Sequence, residues 1–132
     1  MDKRLLWVWP LAVAGSVVAV LVVRVVAFML VPLPSPETFP PLTWSGPIIF
    51  TVVLVSLAVF AFAFVVGRSA NPRRVYRRVA LIALIVSVIP DLALPLGHPP
   101  APWPAAIVLM AMHVAAWLVT VEVLTRLGLP KS

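Results

Sequence analysis

Residues 71–95 read NPRRVYRRVALIALIVSVIPDLALP. Four arginines (Arg73, Arg74, Arg77 and Arg78) crowd the start, an apolar run follows, and the Pro90–Asp91 step interrupts the far end. A helix that changes so abruptly from basic to apolar belongs at the edge of a bilayer. Its arginines suit the headgroup layer, and the run behind them suits hydrocarbon.

The remainder of the chain has the same character. Of its 132 residues, 63% are hydrophobic and 11% charged, with a mean hydropathy of +1.14. A soluble domain of this size has no means of covering so much apolar surface, so lipid must be the solvent. Apolar runs predict helices over 7–31, 47–66, 75–95 and 104–126, each near the ~20 residues that cross a hydrocarbon core of ~30 Å. Their β-branched richness does not make them barrel strands, because period-2 alternation is missing. The reading is a single integral membrane domain over 1–132, all-α, a four-helix transmembrane bundle.

Orientation is read from the ten basic residues. Lys3 and Arg4 precede the first helix, Arg68 and the four arginines of the collar lie between the second and third, and Arg126 and Lys131 follow the fourth. The proline-rich loop 32–46 and the turn 97–103 hold no lysine or arginine. The positive-inside rule therefore places both termini and the basic loop 67–74 in the cytoplasm, N-in and C-in, in a bacterial inner membrane. The net charge of +6 follows from this distribution and from contact with anionic headgroups, so nucleic acid is not implied.

Local signals refine the elements. Pro10 is expected in the first turn of helix 1. Ala12, Gly15, Ser16 and Ala19 offer a small-residue face for close helix contact, leaving open a homo-oligomer or a membrane partner through helices 1 and 4. Pro32, Pro34, Pro36, Pro40 and Pro41 make the outer loop a stiff connector. Thr51 and Ser56 are expected to bond back to their own helix, and Gly67 to stop helix 2. Asn71–Pro72 reads as a cap and first-turn proline. Gly128 and Pro130 stop helix 4, where Glu122 can pair with Arg126 or meet the collar.

Three ionisable residues sit inside apolar runs: Arg24, Asp91 and His113. By helical rise, Arg24 lies ~21 Å beyond Pro10, Asp91 ~18 Å beyond Val79 and His113 ~14 Å inward from Pro104. All three fall in one layer between the midplane and the outer interface. Charges at that depth turn inward and pair, so Arg24 is expected to contact Asp91 between helices 1 and 3. The Val86 carbonyl freed by Pro90 is a further acceptor for Arg24 or Ser87. Such a pair serves as a fastener that sets register. The alternative is an outward-facing polar pocket lined by Arg24, Asp91 and His113, serving a transporter, channel or ligand-binding subunit.

No catalytic set, phosphate loop or HExxH pattern is present. Ser87, Asp91 and His113 have hydrolase residue types, but Ser87 lies one turn before Asp91 on the same helix, where bonding to backbone is the ordinary use. The absence of cysteine removes disulfides and thiolate ligands. A single buried histidine among thioethers is a poor metal or haem site, with only His98 as a second ligand. No cofactor is expected, and the leading expectation is a structural or accessory membrane protein.

The entry Arg73–Arg74–Val75–Tyr76–Arg77, the Ser87 region, Met112–His113–Val114–Ala115–Ala116 and the Gly46–Pro47 start of helix 2 together carry a resemblance. The layout resembles DUF6069, a family of small four-helix bacterial membrane proteins of unknown function. That resemblance implies the topology and brings no activity with it.

Overall fold

The computed structural model describes residues 3–33, 44–93, 95–97 and 102–129. Four helices follow in order: α1 (Lys3–Leu30), α2 (Ser45–Arg68), α3 (Pro72–Ala93) and α4 (Trp103–Leu127). The expectations for Pro34, Pro36, Pro40, Pro41 and His98 lie outside the described residues.

Three boundaries differ from expectation. α1 starts at Lys3, so Pro10 falls inside the helix and not in its first turn; lacking an N–H, it leaves the Leu6 carbonyl without its ladder bond. α2 continues past Gly67 to Arg68 and ends on an extended Ser69. α3 begins at Pro72, where the Asn71–Pro72 step places it, so Arg73 and Arg74 stand on the helix ahead of the apolar run expected from 75. Only residues 69–71 then link α2 to α3.

α1, α2 and α4 are long and apolar enough to cross a membrane. α3 falls short on that count because its first two turns carry the arginines. Much of the outer surface is apolar: Val18, Phe50, Leu57, Phe64 and Ile82 each expose more than half of their area. In water such a belt would drive aggregation, whereas in hydrocarbon it carries no penalty.

The helices run up and down. α1 packs most extensively on α4 and then on α2, α3 leans on α4, and α2 meets α3 only lightly. α1 and α3 are therefore diagonal. Near the basic end, Leu5, Val8, Val59, Phe62, Tyr76, Ala80, Val121 and Leu124 bring all four helices into one core. Phe62 and Tyr76 meet edge to face there, 4.9 Å between ring centres, a geometry worth about 0.5–1.5 kcal/mol beyond burial. At the other end the buried cluster of Val20, Ala105, Val108, Leu109 and Met112 belongs to α1 and α4 alone. α2 and α3 thus converge at one end and separate toward the other.

The small-residue face of α1 is used within the chain. Ala12 and Ser16 are fully buried, and a Cβ built on Gly15 would lie 3.1 Å from Val119 Cγ1. Close approach of two backbones is the use small residues have in lipid, and here the partner is the chain's own α4.

Candidate functional site

The polar groups inside the apolar helices are joined across helix boundaries. Ser16 Oγ and Thr120 Oγ1 lie 3.0 Å apart, tying α1 to α4. Trp9 Nε1 donates to Ser56 Oγ at 3.0 Å, tying α1 to α2; Ser56 takes this partner where a bond to its own helix was expected. Ser87 does bond to its own helix, donating to the Leu84 carbonyl at 2.8 Å. An unsatisfied polar group in hydrocarbon costs several kcal/mol, which favours such bridges between helices.

Asp91 is buried, and its Oδ2 lies 2.7 Å from His113 Nδ1 on α4. The same nitrogen is 2.9 Å from the Leu109 carbonyl oxygen one turn earlier. A carbonyl oxygen can only accept, so Nδ1 is the protonated nitrogen and donates to Leu109, while Asp91 Oδ2 lies beside it as a close contact with no hydrogen-bond partner. The expected contact between Arg24 and Asp91 is therefore corrected: the buried acid of α3 meets the histidine of α4. Arg24, also buried, places its guanidinium over Trp44 at 3.9 Å and over Phe28 at 4.7 Å from the ring centres. The physical reason is the diagonal placement of α1 and α3. Depth put the three groups in one layer, but α4 stands beside α3 and brings His113 to the acid.

At the basic end, Arg73 donates to the Thr125 carbonyl at 3.0 Å. That carbonyl lies in the last turn of α4, where oxygens have no helical donor, and a cation suits the negative end of the helix dipole. Glu122 is held from two sides, 2.6 Å from Arg126 and 3.6 Å from Arg77. α3 is thus pinned to α4 near both ends.

Between the diverging α2 and α3 lies a lateral groove of about 340 Å³, floored by α4. Ala58 and Ala61, Ala80 and Ala83, and His113, Trp117 and Thr120 line it, with Ser87 at one margin. Ser87 and His113 are on its wall, whereas Arg24 and Asp91 are not among its lining residues. Among the described residues, Asp91 Oδ2 and Trp117 Nε1 are buried with no hydrogen-bond partner, and no three His, Asp or Glu side chains gather to hold a metal ion. Sequence reading missed the Trp9–Ser56 and Ser16–Thr120 bonds. Their signal was present as hydroxyls and an indole in otherwise apolar runs, but not as partners.

An up-and-down helical bundle with a lipid-facing apolar surface and polar bridges between its helices is a small membrane protein. The chain belongs to DUF6069, a family of unknown function whose model matches residues 2–128. No curated protein and no solved structure matches it.

Proposed function

We propose that the protein is a structural or accessory subunit of the bacterial plasma membrane, crossing it four times with both termini and the 69–71 link in the cytoplasm. The observation that carries this reading is the buried Asp91–His113 contact at 2.7 Å, which closes the most polar part of the interior across a helix interface. Ser16–Thr120 and Trp9–Ser56 join helices elsewhere, so these interior polar groups serve assembly of the bundle. A fourth crossing by α3 is supported by its pinning to α4 through Arg73 and Asp91. Those residues are 18 apart, about 27 Å of helix, close to the ~30 Å of a hydrocarbon core. The distribution of lysine and arginine supports the orientation.

A second reading, a ligand-binding subunit, is favoured by one feature: the groove whose wall carries His113, Ser87 and the partnerless indole N–H of Trp117. Mild extraction from native membranes followed by a mass measurement separates the two. The accessory reading expects the 14.3 kDa chain in a larger assembly. It is overturned by a monomer in which Trp117→Phe keeps full folded yield but abolishes uptake or ligand binding.

A further inference from the structure

The arginines at the start of α3 divide between two faces. Arg73 and Arg77 turn toward α4, where they meet the Thr125 carbonyl and Glu122. Arg74 and Arg78 are exposed, and neither has a hydrogen bond or ion pair with another described residue. All four arginines, with Asn71 and Leu81, line an open recess of about 500 Å³.

The helical repeat extends the Arg74–Arg78 face through Leu81, Ile85, Val88 and Leu92. Leu81, Ile85 and Leu92 are 47%, 55% and 41% exposed, so the stripe is apolar and open along its length. Leu81 to Leu92 covers about 17 Å of helix, close to one leaflet's share of a ~30 Å core. Two like charges one turn apart repel each other, and both oppose the positive end of the α3 dipole. A phosphate between the two guanidinium forks would remove both conflicts and accept paired hydrogen bonds. A soluble phosphate or a nucleic acid would use the arginines but leave the apolar stripe bare. A phospholipid uses both.

The geometry points to Arg74 and Arg78, with Leu81, Ile85 and Leu92 behind them, as a retention site for one anionic phospholipid of the cytoplasmic leaflet. The leaflet rests on the proposed orientation; the site itself does not.

The test is native mass spectrometry of the full chain equilibrated with equal amounts of phosphatidylglycerol and phosphatidylcholine of identical acyl chains. The wild-type chain retains phosphatidylglycerol in preference. Arg74→Gln with Arg78→Gln lowers that preference about 30-fold, and either single substitution about 5-fold, from ~1 kcal/mol per arginine. Arg73→Gln leaves it within two-fold. Circular dichroism verifies the helices of each variant, and the exposed single variants give the same reading should the double variant be lost. Unchanged preference in the folded variants overturns the site, as does displacement of the lipid by inorganic phosphate. Orientation is read separately from Ala70→Cys in this cysteine-free chain. Labelling from outside the cell overturns the leaflet assignment, and persistence of the arginine dependence in that case keeps the site.

Discussion

Removing His113 should unfold the interior of this bundle more than its single contact suggests. His113→Ala deletes the nitrogen that faces Asp91 Oδ2 at 2.7 Å and leaves a carboxylate with 9% of its side-chain surface exposed among apolar neighbours. Removing one partner of a buried ion pair costs about 3–5 kcal/mol where the group left behind is charged, because it keeps its desolvation penalty without its partner. His113 itself retains 28% of its surface, so water can reach the site in part, and the lower end, about 3 kcal/mol, applies. Replacing both members with leucine removes the stranded group as well as the contact, and should recover most of that loss. The assay is reversible unfolding in mixed detergent followed by circular dichroism, run on His113→Ala and as a cycle of His113→Leu, Asp91→Leu and the double His113→Leu/Asp91→Leu. Coupling of at least ~1 kcal/mol between the positions is the expected sign of a fastener. A loss below ~1 kcal/mol for His113→Ala, or losses that simply add, would show that the 2.7 Å contact does not hold α3 to α4.

Two further predictions use the same unfolding measurement. A Cβ on Gly128 would fall 2.5 Å from the Leu124 carbonyl oxygen and 2.8 Å from Phe62 Cε1, so Gly128→Ala should cost about 1–3 kcal/mol by overpacking. Gly67 has open space around it, and Gly67→Ala inside α2 should instead stabilise by about 0.5–1 kcal/mol; the reverse order would refute the close approach of α4 to Phe62. Ser16→Ala and Thr120→Val should each destabilise mildly and show about 0.6 kcal/mol of coupling, the usual strength of a hydrogen bond between helices in lipid. Coupling within error of zero would mean the 3.0 Å contact contributes shape and no hydrogen-bond energy.

Much of the architecture was legible before any coordinates. Apolar content and run length announced lipid as the solvent and four helices as the fold, because each residue's preference for hydrocarbon is a property of its own side chain. The basic collar at Arg73–Arg74 and Arg77–Arg78, the Glu122–Arg126 pair and the self-bonding of Ser87 could be read for the same reason, since the groups involved are within one or two turns on one helix. Element ends were less evenly legible: Asn71–Pro72 marked the start of α3, whereas the passage of α2 through Gly67 depends on the short 69–71 link.

Which helices stand side by side was not written in any one segment. Depth along a helix axis follows from counting residues, and it put Arg24, Asp91 and His113 in one layer. Rotation about the axis and choice of neighbour follow from how all four helices pack at once. The burial of Ala12 and Ser16 against α4, with Gly15 close to Val119, draws α1 to α4, leaving α3 diagonal to α1. Asp91 then meets His113, and Arg24 turns to Trp44. The same packing separates α2 from α3 and opens the groove floored by His113 and Trp117. Polarity along the chain is local and survives in the sequence, whereas adjacency in the bundle is a collective result of close packing and exists only once the helices have met.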